Sequence, residues 1–314
     1  MIREPSISVV IPVFNTNVFY LDKCFNSLNN QTYDNLEIVI VDSSTSLETI
    51  KFIQSFKFRF NKVKILKSNC GVSLQRNVGI EQSESDYISF VDSDDYLNEN
   101  YFKSLIDPIL KQDYDISFPI IKKVLFDNGV EVKTWEFKHP DKNALITEDT
   151  FFSFSKRNAF VHPIKIYKKS IVGDTRFDET LKYGEDLIFN YKISSKHPDV
   201  ILCPESIYYY TAEANSNLVS KHFDKSFFNF LKQVIAIHKS KKTNKSIQKD
   251  IMNFYNLAFL DFYYSVFKKC SLKWIFLSIR FRFFYFLHNI SFYNFVYMFF
   301  PVTLFLIKKV LKKV

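Results

Sequence analysis

The 314-residue sequence predicts an α/β fold in which helices cover a mostly parallel β-sheet, followed by a helical carboxyl-terminal extension. Three observations support this prediction. Apolar runs alternate with segments of helical spacing over the first hundred residues, which is typical of repeated β-α units. The strand-like runs are apolar at consecutive positions, as expected of strands covered on both faces. Two runs end in aspartate, and ligands bind at the carboxyl ends of strands in such sheets.

The elements are predicted from apolar spacing and from the residues that interrupt it. Strands are predicted at Ser6–Val13, Leu36–Asp42, Val63–Leu66 and Tyr87–Val91. Helices are predicted at Val18–Asn30, Leu47–Phe56, Val72–Glu81, Tyr96–Leu110 and Leu187–Ile193. In the first helix the apolar residues lie three and four positions apart, which places them on one face.

The strand at 87–91 runs directly into three carboxylates, Asp92, Asp94 and Asp95. Carboxylates this close raise one another's pKa unless a cation or hydrogen-bond donors neutralise them. Mg²⁺ and Mn²⁺ prefer oxygen ligands and commonly use one or two carboxylates together with phosphate oxygens of a substrate. The segment therefore predicts a divalent metal site; the alternative is a turn that caps the next helix.

Charge is unevenly distributed along the chain. The net charge is +9, and residues 221–314 contain 17 Lys and Arg against 3 acidic residues. A basic region of this kind predicts contact with an anionic partner. The four cysteines are scattered without a C-x-x-C pair, so the sequence supports neither a zinc site nor a disulfide framework. The start of the chain lacks a signal-peptide pattern, and we expect a cytoplasmic protein.

Four motifs in order resemble glycosyltransferase family 2, the inverting type with the Rossmann-like GT-A fold. They are S-V-V-I-P-V-F-N (8–15), E-I-V-I-V-D-S-S (37–44), N-x-G-V-S-x-x-R-N-x-G-I (69–80) and F-V-D-S-D-D-Y (90–96). The resemblance implies a catalytic domain at 1–220, with a nucleotide-binding half (about 1–100) and an acceptor half (about 101–220). A basic, aromatic and mainly helical region would follow at 221–314. The implied reaction moves a sugar from a nucleotide-sugar, most simply a UDP-sugar, to a saccharide or lipid-linked saccharide.

The resemblance also implies roles for individual residues. Asp42 would accept a hydrogen bond from a uracil N–H, although Ser43 and Ser44 stand where the family usually has Asp and Gly. Mn²⁺ or Mg²⁺ would be held by Asp94 and Asp92. The implied nucleotide-sugar-binding residues are Pro12, Val13, Asn15, Asp42, Asn69, Gly71, Arg76, Asp92 and Ser93.

The segments F-D-E (177–179) and G-E-D-L (184–187) resemble the family's F-x-E … G-E-D pattern. The resemblance implies that Asp186 is the general base that deprotonates the acceptor hydroxyl, with Glu185 beside it near the acceptor. Without the resemblance, an acidic pair at the start of a helix is typical of a favourable interaction with the helix dipole. For Lys165 the sequence leaves two interpretations open. The lysine either contacts phosphate or the acceptor, or it lies at the edge of a strand.

The carboxyl-terminal region interleaves Phe and Tyr with Lys and Arg, which is typical of helices on an anionic membrane surface. The 25 residues between Arg282 and Lys308 carry no formal charge, which is long enough to span a bilayer. Polar residues and a proline interrupt this run, and the lysines beyond it disfavour a span. A helical subdomain that packs on the core, or on a second copy in a homo-oligomer, is the alternative.

Two other functions are alternatives to glycosyl transfer. A nucleotidyltransferase would need a glycine-rich phosphate loop after the first strand, and P-V-F-N-T-N (12–17) contains no glycine. A non-catalytic protein that binds membrane or nucleic acid would use the basic and aromatic residues of the tail. The acidic residues of the body disfavour nucleic acid as a partner.

Overall fold

The computed structural model describes residues 4–136, 163–182 and 184–213, together with Asn229, Gln233 and Ala236. All of these lie in a compact unit, Met1–Leu257, whereas the second unit, Ala258–Val314, lies outside the described residues. The predicted boundary at residue 220 and the predicted membrane contact of the tail therefore stay predictions. No helix in the described ranges is long and apolar enough to cross a membrane.

In the described ranges nine strands form one sheet, in the order β3-β2-β1-β4-β8-β6-β9-β5, with β7 paired to β6. The strands are β1 (Ile7–Val13), β2 (Leu36–Asp42), β3 (Lys62–Lys67), β4 (Tyr87–Phe90), β5 (Tyr96–Leu97), β6 (Ile116–Asp127), β7 (Val130–Glu136), β8 (Ile166–Lys168) and β9 (Val200–Glu213). The helices are α1 (Val18–Asn29), α2 (Leu47–Ser55), α3 (Val72–Gln82), α4 (Tyr101–Gln112), α5 (Lys169–Val172) and α6 (Glu185–Ser194).

The first four strands form the predicted parallel part of the sheet. β1 pairs in parallel with β2 and with β4, and β2 pairs in parallel with β3. Every residue of β1, β2 and β4 is buried, as their continuous apolar sequences predicted. The register places Val13 beside Asp42, so the carboxyl ends of β1 and β2 lie side by side.

The later strands make the sheet mixed. β8 is antiparallel to both β4 and β6, whereas β9 is parallel to β6 and antiparallel to β5. The parallel arrangement predicted for the sheet therefore holds for its first four strands and for the β6–β9 pair. β9 runs beside most of β6 on one edge, and on its other edge Tyr208 and Tyr209 pair with β5, which directly follows the three carboxylates at 92–95.

The predicted helix at Tyr96–Leu110 was wrong at its start. Tyr96 and Leu97 form β5 and pair with Tyr209 and Tyr208 of β9, so helix α4 begins only at Tyr101. The spacing of apolar residues did not reveal this, because strand pairing over more than a hundred residues of sequence determines the conformation of Tyr96 and Leu97.

Helix α3, which carries Arg76, packs closely against the sheet at Gly79. A Cβ atom built on Gly79 would lie 2.1 Å from Cγ1 of Val10 in β1, which no real contact allows. The absence of a side chain at Gly79 therefore sets the distance between α3 and β1.

We predict that Gly79→Ala lowers the free energy of unfolding by about 1–3 kcal/mol, because the added methyl group overpacks a rigid interface. The double variant Gly79→Ala with Val10→Ala should recover part of this loss, since it removes the clashing methyl groups. Urea denaturation measures both effects, with Gln82→Ala on the exposed side of α3 as the control. Equal stabilities of Gly79→Ala and the control would contradict the packing argument.

Candidate active site

A buried arginine joins side chains from both halves of the predicted site. The side chain of Arg76 is 3% exposed, and its Nη2 donates to Asp92 Oδ1 at 2.8 Å. Its Nη1 donates to Asp186 Oδ1 at 2.5 Å and to Glu185 Oε1 at 3.3 Å. The guanidinium group also lies 5.2 Å from the ring centroid of Phe177. Three acidic residues predicted from two separate motifs therefore meet at one cation.

The electrostatics of this cluster favour proton acceptance near neutral pH. Burial raises the pKa of Asp186 to about 6; Arg76 opposes the shift, and the Asp92 carboxylate adds to it. Burial and the neighbouring Asp186 also raise the pKa of Glu185. A carboxylate with a pKa near the working pH is ionised there and still basic enough to take a proton.

The residues after β4 form a tight turn in which the Asp95 N–H donates to the Asp92 carbonyl at 3.1 Å. Asp94 lies on this turn, where desolvation by the surrounding protein and the charge of Asp92 raise its pKa to about 6. In the described ranges no group of three or more His, Cys, Asp or Glu side chains is arranged to hold a metal ion. Two carboxylates that repel each other nevertheless fit a divalent cation whose other ligands are phosphate oxygens and water.

The carboxyl ends of β1 and β2 form the other wall of the site. Asp42 is 1% exposed; its Oδ1 accepts the Ser44 N–H at 2.8 Å, and its Oδ2 forms an ion pair with Lys67. Asn15 Oδ1 accepts the N–H groups of Thr45 and Ser46, each at 2.8 Å. The side-chain amide of Asn15 therefore connects the loop after β1 with the loop after β2. Two further predicted residues, Pro12 and Val13, are buried at the end of β1.

Three further predicted residues, Asn69, Gly71 and Ser93, also lie outside the Arg76 cluster. Asn69 is exposed in the loop before α3. Gly71 lies immediately before the first residue of that helix and has a φ of +148°, a conformation that favours glycine. The hydroxyl of the buried Ser93 lies 2.6 Å from the Thr16 hydroxyl. Ser93 therefore links the turn after β4 to the loop after β1.

Lys165 is fully buried and is therefore not a solvated lysine at a strand edge. Its Nζ donates to Asn190 Oδ1 at 3.3 Å, an oxygen that also accepts the Tyr167 hydroxyl at 2.8 Å. Asn190 Nδ2 in turn donates to the Asp186 carbonyl at 3.0 Å. Burial lowers the pKa of Lys165 to about 7, with Asp186 opposing the shift. The lysine thus belongs to a polar network behind the predicted base.

The sequence reasoning missed two further features. Phe14 is 49% exposed at the end of β1, next to Asn15, where an apolar residue has no core to fill. Tyr208 is buried on β9, yet its hydroxyl contacts the turn after β4. The sequence has three consecutive tyrosines, Tyr208, Tyr209 and Tyr210, but nothing local indicates which of them faces the turn.

Comparison with known proteins bears on both the family and the fold. The family model for glycosyl transferase family 2 matches residues 8–174. The chain is 28% identical over 228 residues to the glycosyltransferase GlyA of Streptococcus pneumoniae, covering 69% of this chain and 32% of GlyA. It is also 28% identical over 238 residues to the poly(ribitol-phosphate) β-N-acetylglucosaminyltransferase TarS of Staphylococcus aureus, covering 73% of this chain and 40% of TarS. The chain thus spans less than half the length of these two relatives.

A solved structure supports the same comparison. The crystal structure of S. aureus TarS 1–349 in complex with UDP-GlcNAc has a TM-score of 0.66 to this chain at 24% sequence identity. The superposition covers 85% of this chain and 77% of that structure. This likeness confirms the predicted GT-A fold.

We predict that Arg76→Met lowers the free energy of unfolding by about 3–5 kcal/mol at neutral pH, because it leaves three carboxylates without their buried cation. The loss should shrink at mildly acidic pH, where the unpaired carboxylates bind protons. Urea denaturation at the two pH values tests this. The control is Lys103→Met, which removes an exposed ion pair with Asp107 within α4 and should change stability by about 0–1 kcal/mol. Equal small losses for both variants would contradict the prediction.

Proposed function

The chain belongs to glycosyl transferase family 2, and on that basis we propose that it transfers a sugar from a UDP-sugar to a saccharide or lipid-linked saccharide. The observation that carries this proposal is the convergence of Asp92 and Asp186 on Arg76. Glycosyl transfer needs a charged diphosphate leaving group and an attacking hydroxyl next to each other. In this cluster Asp92, from the motif proposed to act at the diphosphate, lies close to Asp186, the proposed base for the hydroxyl.

For the nucleotide, we propose that uracil binds at Asp42. The N3–H of uracil donates to this carboxylate, whereas cytosine has no hydrogen at N3. Lys67 and the Ser44 N–H hold the carboxylate in one orientation. The exposed ring of Phe14 offers a surface on which a base stacks. Binding of UDP-GlcNAc by TarS supports a UDP-sugar, while a hexose and an N-acetylhexosamine both fit the proposal.

For the diphosphate, we propose that Asp94 and Asp92 hold Mn²⁺ or Mg²⁺, with Asn69 and Gly71 approaching the ribose and phosphates. When bound, such a cation neutralises the charge that develops on the departing nucleoside diphosphate. Arg76 orients the Asp92 carboxylate through Oδ1, which leaves Oδ2 for other contacts.

For the acceptor, we propose that Asp186 takes the proton of the attacking hydroxyl. The acceptor oxygen bonds to the anomeric carbon as the bond from that carbon to the diphosphate oxygen breaks. Attack from the side opposite the leaving group inverts the configuration at this carbon. The proton ends on the Asp186 carboxylate, whose raised pKa suits it to the transfer. Glu185 lies beside it and would contact the acceptor.

We further propose that the acceptor belongs to a cell-surface polymer; the name of TarS gives a polymer, poly(ribitol-phosphate), as its own substrate. The reaction would take place in the cytoplasm, with the basic region at 221–314 against the anionic inner face of the membrane. This part of the proposal rests on the composition of that region, which lies almost entirely outside the described residues.

We predict that one UDP-sugar with Mn²⁺ raises the thermal unfolding temperature of the wild type, since a ligand of the native state stabilises it. CDP-sugars should give a smaller shift, because cytosine has no hydrogen at N3 to donate to Asp42, and GDP- and TDP-sugars complete the panel. Asp94→Ala should remove the part of the shift that depends on Mn²⁺, whereas Asp174→Ala, an exposed aspartate, should not. Absence of a shift with every nucleotide-sugar, in folded protein, would contradict the proposed function.

We predict that Asp186→Asn lowers kcat by about 10²–10⁴-fold and preserves UDP-sugar binding, because the amide cannot accept the proton. In the wild type the rate should fall as the pH decreases through about 6, where Asp186 becomes protonated. Release of UDP over a pH series measures both effects, with Asp174→Asn as the control. A rate that stays constant down to the pH at which an ordinary aspartate titrates would exclude Asp186 as the base.

A further inference from the structure

The turn after β4 is held from behind by a tyrosine of β9. Tyr208 is fully buried, and its hydroxyl oxygen accepts the Asp92 N–H at 3.1 Å. The same hydroxyl donates to Asp95 Oδ2 at 2.7 Å. A backbone N–H can only donate, so the hydroxyl uses a lone pair towards Asp92 and keeps its single proton for Asp95. One hydroxyl group thus connects the backbone of Asp92 with the side chain of Asp95.

Thr211, three residues later on β9, adds two more hydrogen bonds. Its N–H donates to Asp95 Oδ1 at 2.7 Å, and its hydroxyl donates to the Asp94 carbonyl oxygen at 2.5 Å. Asp95 is 1% exposed, and each of its oxygens accepts a hydrogen bond from β9. The third carboxylate of the turn thus faces the protein interior and serves as an anchor.

We propose that Asp95, Tyr208 and Thr211 are positioning residues that set the geometry of Asp92 and Asp94 towards a metal-bound diphosphate. The inference rests on the proposed function, because it takes Asp92 and Asp94 as the residues that would hold the cation. These two carboxylates repel each other on a short turn. Hydrogen bonds to the backbone of both residues oppose the relaxation that would separate them.

The surrounding sheet makes this anchor rigid. Residues of β5 follow Asp95 immediately and pair with Tyr208 and Tyr209 of β9. The turn therefore lies between two fixed strands, β4 and β5, and β9 contacts it from one side. Groups that orient metal ligands affect metal affinity even though they never touch the ion.

The test uses the full-length chain and measures UDP binding by calorimetry with and without Mn²⁺. Tyr208→Phe removes one oxygen atom, and Thr211→Val removes one hydroxyl. Each should weaken the Mn²⁺-dependent binding of UDP by about 10–100-fold while leaving UDP binding without Mn²⁺ unchanged. Thr211→Ser restores the hydroxyl and should restore the affinity. Tyr209→Phe is the matched control, because its ring stacks on Tyr96 at 4.5 Å and not on the turn.

Three outcomes would overturn the inference, and they are distinguishable. Unchanged Mn²⁺-dependent binding in both Tyr208→Phe and Thr211→Val would show that β9 does not position the turn. Loss of UDP binding both with and without Mn²⁺ would show that these residues support the nucleotide site as a whole and have no particular role towards the metal-bound diphosphate. A wild type that binds UDP equally with and without Mn²⁺ would contradict the metal assignment itself, while leaving the UDP-sugar proposal intact.

Discussion

The site depends on the positive charge of Arg76, because three carboxylates cannot lie this close together in a partly buried place without a cation. Arg76 lies on helix α3, and Gly79 on the same helix allows the helix to pack closely against β1. Asp92 comes from the end of β4, and Glu185 and Asp186 from the first turn of α6. Removing the arginine would therefore disturb the connection between two parts of the fold as well as the chemistry.

The topology explains why residues so far apart in sequence meet. Parallel strands present their carboxyl ends at one edge, so the loops after β1, β2 and β4 are neighbours without any contribution from local sequence. The mixed half of the sheet then adds β8 and β9, which bring Lys165 behind Asp186 and Tyr208 behind Asp92. The first half of the fold thus presents the proposed nucleotide-binding groups, and the second half supplies the proposed base and supports both from within the protein.

The sequence predicted the features that depend on local pattern. β1, β2, β4 and the helices between them were found from apolar runs and spacing, because burial on both faces or on one face leaves that signal directly in the sequence. Asp42, Arg76, Asp92 and Asp186 were singled out as candidate site residues through motifs. The start of α4 was misplaced, and the role of Tyr208 was missed, because both depend on the pairing of β5 with β9. Such pairings have no local signature.

The three carboxylates after β4 illustrate this limit most clearly. Counted along the sequence, Asp92, Asp94 and Asp95 are equivalent candidates for holding a cation. In the fold their surroundings differ: Asp92 pairs with the Arg76 guanidinium, whereas burial and the neighbouring carboxylates raise the pKa of Asp95, against the opposing effect of its hydrogen bonds from β9. Of the three, only Asp94 is exposed. With Asp92 paired and Asp95 turned into the protein, an external cation would meet the turn at its exposed side.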